Sequence, residues 1–474
     1  MDTQAIRKKI LDLALRGKLT EQLPEDGTGE DLYQQIQHEK IKLEKAGIVK
    51  KTKPLLPVSK HEMPYSIPDN WKWKRIGEVG TTITGGTPAK DHPEYYGGEF
   101  PFFKPSDLDA GRHISIATEY LTEQGKKESR LISKGSILVC CIGSIGKSAI
   151  IDIDGTANQQ INAIIPILCD SDYVQFAIED NTFQQQLNQG SRATTVSIIN
   201  KSKFDNCIIP FPPLAEQKRI ANKIKSVFAI LDTVATLQSQ YQDNLATLKS
   251  KIIDAGIQGK LTEQLPEDGT AEDLYQQIHT NQGIEKKALA DINADLPEIP
   301  FTWRRVHLGD IVRILGGKRI PAGRKLTTEN TGHKYIRISD MKNRSVDAEN
   351  LLYVPEDIYP SISQYIIRKE DVYITVAGTI GRVGKIPESV DGANLTENAD
   401  RLVFSNLDQN WLIYCLSSTF VQKQIEYLTT QVAQPKLAIK RIQEFLVPLP
   451  PLAEQKRIVA KLEELLPLCE KGQS

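Results

Sequence analysis

The chain has 474 residues, of which 40% are apolar, and carries 59 Lys plus Arg against 60 Asp plus Glu. At about 150 residues per domain this length predicts roughly three domains rather than one core, and the composition excludes disordered, collagen-like and purely coiled-coil chains. The net charge of −1 leaves no global basic footprint for nucleic acid, so any such footprint has to be local.

The first predicted element is a short helix marked by the apolar stripe Ile6, Ile10 and Leu13. The opening MDTQAIRKKI has no signal-peptide apolar region, and no apolar run nears the roughly 20 residues of a bilayer span, so a cytoplasmic location with no membrane contact is expected. Next comes GKLTEQLPEDGTGEDLYQQI, from Gly17 to Ile36, which recurs from Gly259 to Ile278 with one change, Gly29 to Ala271, at an offset of 242 residues. A second repeat, PPLAEQKRI, starts at Pro212 and again at Pro450. The chain therefore reads as two copies of one module.

Between these blocks lie two divergent segments with shared landmarks. Each opens with Pro-x-x-Trp and a Gly-acid pair (Pro68, Trp71, Gly77, Glu78; Pro300, Trp303, Gly309, Asp310). A double glycine follows (Gly85-Gly86, Gly316-Gly317), then basic-x-Ser-Asp (Lys104 to Asp107, Arg337 to Asp340). An apolar strand then enters a glycine turn (ILVCCIGSIGK, VYITVAGTIGRVGK), and Asn-x-x-x-Asn closes the series (Asn158 and Asn162, Asn394 and Asn398). The six cysteines form no Cys-x-x-Cys pair and read as free thiols, with Cys140 and Cys141 on opposite faces of a strand.

After the first PPLAEQKRI, apolar residues recur at 3-4 spacing along Ile224, Val227, Leu231, Val234, Tyr241, Leu245, Leu248 and Ile252. This predicts a coiled-coil helix from Leu214 to about Ala255, on the order of 60 Å long. After the second copy only a short helix fits before the chain ends, and the N-terminal stripe supplies the missing piece. The predicted fold is α+β. Two mixed, strand-rich domains are joined by two long antiparallel helices in a pseudo-twofold, circular arrangement, with the termini side by side. The predicted boundaries are 1–59 for the N-terminal helix and first repeat block, 60–211 and 292–449 for the domains, 212–291 for the long helix and second block, and 450–474 for the C-terminal helix.

Catalytic signatures are missing from the sequence. Gly143 to Ser148 resembles the end of a phosphate-binding loop, but Cys141 stands where glycine is needed and a strand follows where a helix is required. The seven histidines show no metal-ligand spacing, there is no Gly-x-Ser-x-Gly elbow, and no base-methyltransferase motif occurs. The chain reads as a binding or positioning component with no catalysis and no metal site of its own.

These landmarks, above all the two copies of PPLAEQKRI and of GKLTEQL flanking divergent domains, closely resemble the specificity subunit of type I restriction-modification systems along essentially the whole chain. The resemblance implies that each divergent segment is a target recognition domain reading half of a bipartite, asymmetric site in double-stranded DNA. It also implies that the helices set the spacer and dock two methyltransferase subunits, with restriction subunits joining through them. S-adenosylmethionine, ATP and Mg²⁺ would belong to those partners. A coiled-coil scaffold for protein partners is the alternative.

Positions shared by two different readers cannot discriminate bases, so Lys104, Arg337, Lys147 and Lys385 are candidate phosphate contacts. Asn158 and Asn394 read as turn residues. Base reading should fall where the copies differ: Lys318, Arg319, Arg324, Lys325, Gln434 and Lys436 in the second domain, and Lys90, Gln159, Gln160, Arg192 and Thr194 in the first. Residues 300–449 carry 20 basic against 16 acidic groups, whereas residues 60–211 carry 15 against 18. The first domain should therefore contribute less to affinity.

Overall fold

The computed structural model describes residues 1–49, 51, 54–191, 198–282, 298–429 and 436–470. It divides into two compact units, 1–239 and 240–474. The long helix spans Leu214–Ile257, about 66 Å at 1.5 Å per residue, so its first part belongs to one unit and its last part to the other.

In the first unit the N-terminal helix Thr3–Leu15 starts on Asp2, whose carboxylate accepts from the backbone N–H of Gln4 and Ala5. It ends at Gly17 in the left-handed region (φ 69°). It runs antiparallel to the start of the long helix: Arg7 reaches Asp232 and the Phe228 carbonyl, and Thr20, past the other end, reaches Glu216. Leu11, Ala14 and Leu15 share a core with Ile220, Ile224 and Phe228.

Five strands follow in the order Gly80–Thr84, Ile161–Pro166, Ile137–Cys140, Ser148–Ile151, His113–Ile114. A three-stranded sheet (Glu119–Leu121, Tyr96–Phe103, Thr156–Ala157) and the pair Lys72–Arg75 with Ile208–Phe211 complete the domain. The five-stranded sheet is covered on both faces. Ile137, Val139 and Cys141 enter the core that holds the helices, while Leu138 and Cys140 enter a second core. The two adjacent cysteines thus point opposite ways, as the two-residue period requires, and all six cysteines are free.

The second unit repeats this plan. Its four-stranded sheet runs Arg313–Gly316, Ala399–Val403, Val372–Thr375, Val383–Lys385, beside a three-stranded sheet (Leu352–Tyr353, Lys334–Ile336, Asn394–Leu395) and the pair Arg304–His307 with Leu446–Leu449. The C-terminal helix Leu452–Leu465 lies antiparallel to the end of the long helix, so close that a Cβ on Gly256 would meet Leu462 and Ile458. Lys249 pairs with Glu470 farther back along the long helix.

In both units the two repeated motifs lock onto each other. The Glu216 carboxylate, fully buried, accepts from the Trp71 indole (2.8 Å), Gln22 (2.9 Å) and Thr20 (3.2 Å). Glu454 accepts from Trp303 (2.8 Å), Gln264 (2.9 Å) and Thr262 (2.9 Å). Arg219 pairs with Asp26 as Arg457 pairs with Asp268, and Gln217 and Gln455 bond the carbonyls of Pro212 and Pro450. Within the two repeats, the side chains of Glu216, Gln217 and Arg219, and of Glu454, Gln455 and Arg457, are each tied to partners inside the same unit.

The apolar stripe on the long helix is buried only at its ends. Ile224 and Leu231 at the start and Ile253 and Ile257 at the end are covered, but Leu237, Tyr241 and Leu248 are exposed. The terminal helices are too short, 13 and 14 residues, to cover a 44-residue partner. Each terminal helix therefore pairs with one end of the long helix.

Candidate nucleic-acid interface

Strand pairing fixes which positions of the two domains correspond. Phe103 pairs with Ala157 as Ile336 pairs with Leu395, so Lys104 and Arg337 are equivalent, as the sequence suggested. The aspartates of this motif are structural. Asp107 and Asp340 are buried and accept the backbone N–H of Lys104 and Arg337 at 2.7 and 2.8 Å.

Two other correspondences are corrected. The N–H of Cys140 bonds the Lys147 carbonyl as that of Thr375 bonds the Arg382 carbonyl, so Lys147 matches Arg382 rather than Lys385. The parallel pairings Phe102 with Thr156 and Tyr335 with Asn394 make Asn394 the partner of Thr156, two positions from Asn158. Thr156 and Asn394 are both buried, and their side chains bond the carbonyls of Arg130 and Ile362. These contacts are structural.

In the first domain the loop after Gly85-Gly86 and the turn at Asn158 to Gln160 enclose a cleft of about 530 Å³. It gathers Thr87, Lys90, Lys104, Gln159 and Gln160 around Tyr96 and Phe102. Four residues singled out in the sequence, Lys90, Lys104, Gln159 and Gln160, are thus brought together. Lys90 and Gln159 are exposed. The Lys104 ammonium is held by Glu119 at 2.8 Å, and Thr87 bonds Gln159 across the cleft mouth.

The same two backbone positions meet in the second domain with different chemistry, Arg319 pairing with Glu397. Burial works to raise the Glu397 carboxyl, but hydrogen bonds from Arg319, the backbone and Thr396, with the Arg319 charge, together hold the group below the usual carboxylate range. Lys318 lies over the Tyr365 ring (5.6 Å to its centroid), Arg324 pairs with Asp357, and Lys325 is exposed. A small extra core of Tyr335, Val354, Ile358 and Ile362 supports this loop. Arg337 is turned onto Asp340, and among the described residues Lys385 reaches only Asn410, at 3.4 Å. Lys436 is exposed and its charge is felt by Asp400. Arg192, Thr194 and Gln434 lie outside the described residues.

Around the glycine turn the domains differ in charge. In the first, Lys147 pairs with Asp109 at 2.6 Å, and Arg112, stacked on Phe176, pairs with Glu179 at 2.6 Å. In the second, Lys342, Arg344 and Arg382 line a cleft of about 580 Å³ with Tyr373, Ser417 and Gln422.

Residues 68–240 and 300–472 each match the family model described as the type I restriction modification DNA specificity domain. The chain belongs to this family. It is 25% identical over 539 aligned residues to the type I restriction enzyme EcoAI specificity subunit of Escherichia coli, covering 98% of this chain and 89% of that one. It is 26% identical over 417 residues to the MjaIX specificity subunit of Methanocaldococcus jannaschii, covering 85% and 88%. A chain solved in a study of complex assembly and conformational transition of the type I R-M system superposes with a TM-score of 0.63 at 20% identity, over 86% of this chain and 93% of that chain. That likeness shows the shared fold.

Sequence reasoning missed Glu397, Lys342, Arg344 and Arg382. The signal for Arg382 was present: aligning the glycine turns GSIGK and GTIGR puts Lys147 on it directly. Glu397 was passed over because an acidic residue does not suggest DNA contact, although one that accepts from a cytosine amino group does. Among the described residues no group of side chains has metal-site geometry, and no helix is long and apolar enough to cross a membrane.

Proposed function

We propose that this chain is the DNA-specificity subunit of a type I restriction-modification complex. The domains at 60–211 and 292–449 would each read one half of a bipartite, asymmetric site. One observation carries this reading: two copies of one scaffold, matched bond for bond, present different side chains at the same surface positions, Thr87 with Gln159 in one and Arg319 with Glu397 in the other. A pair of readers for unlike half-sites needs a common support and unlike tips.

Lys90, Gln159, Gln160, Arg192 and Thr194 are the base-reading candidates of the first domain, and Lys318, Arg319, Arg324, Lys325, Gln434 and Lys436 those of the second. Lys104, Arg337 and Lys385 remain phosphate candidates, whereas Lys147 is held by Asp109. Exposed Leu237, Tyr241 and Leu248 on the long helix support docking of two methyltransferase subunits there, through which restriction subunits join. S-adenosylmethionine, ATP and Mg²⁺ would be held by those partners in the cytoplasm, and this chain contributes selectivity rather than chemistry.

Methylation mapping tests the reading. DNA from cells carrying the methyltransferase subunits should show a split, non-palindromic methylated motif only when this chain is present; a continuous motif, or one independent of the chain, would reject it. Inserting one heptad into the exposed middle of the long helix should change the spacer and leave both half-sites intact, because reader separation fixes half-site spacing.

A further inference from the structure

We propose that the second domain grips a DNA phosphodiester in the cleft of Lys342, Arg344 and Arg382, and that the first domain has given up this grip at the equivalent place. The inference rests on the DNA-specificity reading above and adds where affinity, as opposed to selectivity, is held.

The backbone carries the comparison. The N–H of Lys385 bonds the Arg344 carbonyl as that of Ile150 bonds the Arg112 carbonyl, which makes Arg344 and Arg112 equivalent, and Arg382 matches Lys147. The helices Gln409–Ser417 and Ser171–Glu179 correspond at an offset of 238 residues, so Tyr414 stands where Phe176 does and Ser417 where Glu179 does.

Each cation of the first domain is neutralised within it, Lys147 by Asp109 and Arg112 by Glu179, both at 2.6 Å. In the second domain the carboxylate of Glu179 has become the Ser417 hydroxyl. Arg344 lies over the Tyr414 ring at 5.0 Å, and among the described residues Arg382 has no ion pair and Lys342 keeps only the half-buried Asp347 at 3.5 Å. Three exposed cations thus share one open cleft of about 580 Å³.

Their placement is rigid as well as cationic. Arg344 occupies a two-residue hairpin turn between Met341–Lys342 and Ser345–Val346, where it and Asn343 both adopt left-handed backbone (φ 57° and 50°). Such a turn favours glycine. The turn is pressed onto Gly384, where a Cβ would lie 2.4 Å from the Arg344 backbone. A strained turn held by a neighbouring strand is a feature of functional sites. An exposed Arg lying over an aromatic ring suits a phosphodiester oxygen, which a guanidinium can bind bidentately.

The test uses the full chain assembled with its methyltransferase subunits, with 30-base-pair duplexes, one of random sequence and one carrying the methylated site, titrated with NaCl and read by fluorescence anisotropy. Each of R344Q and R382Q should weaken binding to both duplexes by the same factor, about three- to tenfold at low salt, and flatten the slope of log affinity against log salt by about 0.9, the value for one phosphate contact. R382K should keep the slope. An unchanged slope in R344Q and R382Q overturns the inference, as does loss of the methyltransferase subunits from the variants, which would make the cleft a protein contact. If the wild type fails to prefer the methylated-site duplex, the DNA-specificity reading falls instead, and the two failures are read from different curves.

Discussion

In the first unit Glu216 sits among the donors of Trp71, Gln22 and Thr20, and in the second Glu454 sits among Trp303, Gln264 and Thr262 with bond lengths that differ by at most 0.3 Å. At the glycine turn of each domain the likeness ends: Lys147 faces Asp109, while Arg382 faces open solvent beside two more cations. Buried polar groups are unforgiving because every donor removed leaves a partner without solvent, so the scaffold is fixed. Exposed positions carry no such cost, so they can diverge into different recognition chemistry. The molecule separates support from reading at the boundary between buried and exposed polar groups.

The strongest way to break this comparison is to remove the shared lock. Glu216→Ala strands the buried Trp71 indole and empties the site of a charged acceptor, which should cost about 3 kcal/mol or more. Glu454→Ala should cost the second unit the same. Hydrogen exchange resolved by unit would measure both, and a large cost in one unit with little in the other would show that the lock is not shared.

The next largest effect sharpens a difference. At equivalent ladder positions, opposite Thr84 and Gly316, stand Asn162 and Asp400. Asp400 is buried, and one of its carboxylate oxygens has no hydrogen-bond partner. Burial pushes its carboxyl up to about 6, against the pull of Lys436. A carboxyl raised above its unfolded value near 3.9 contributes no penalty below about pH 4 and costs stability increasingly as the pH climbs to 6. Asp400→Asn should therefore stabilise the second unit by about 2 kcal/mol at pH 7 and by nothing at pH 4, as urea unfolding at the two pH values would show.

The single change within the 20-residue repeat gives a smaller effect. A Cβ at Gly29 would stand 2.0 Å from the Phe211 carbonyl oxygen, whereas Ala271 is accommodated and fully buried. Gly29→Ala should cost the first unit about 1–3 kcal/mol through backbone displacement, and Ala271→Gly should cost the second no more than about 1 kcal/mol; thermal melts of both variants measure the asymmetry.

The smallest effect is a pH dependence confined to the first unit. Burial works to lower the pKa of His113, but hydrogen bonds to Asp152 and Asp172, 3.0 Å away on either side, outweigh it and raise the group above its usual value. The stability this provides is complete below about pH 6.5 and is lost as pH rises through the raised folded value. With the ring partly exposed, solvent screening leaves about a few tenths of a kcal/mol. Ser345 holds the equivalent strand position in the second unit, so His113→Asn should flatten the pH profile of the first unit alone.

Much of this was legible in the sequence because it repeats. The 3-4 spacing from Ile224 to Ile252 located the long helix, and PPLAEQKRI located its start. The registration of the divergent domains was less legible. The offset between copies drifts from 233 residues at Lys104 and Arg337 to 235 at Lys147 and Arg382 and 238 at Ala157 and Leu395, because loops gain and lose residues while ladders do not. Matching by residue type alone therefore slid Lys147 onto Lys385 and Asn158 onto Asn394. Glu216 gave no sign of its role either, since a glutamate in a helix ordinarily faces water. Leu237, Tyr241 and Leu248 carried a burial pattern that the described terminal helices, 13 and 14 residues long, leave exposed.

The central claim, that unlike readers sit on interchangeable supports, is tested most directly by replacing residues 300–449 with a second copy of residues 68–211 and mapping methylation in cells carrying the methyltransferase subunits. A chain with two identical readers should direct methylation to a palindromic split site made of the first half-site and its inverted repeat. Methylation that stays on the original asymmetric motif would contradict the account.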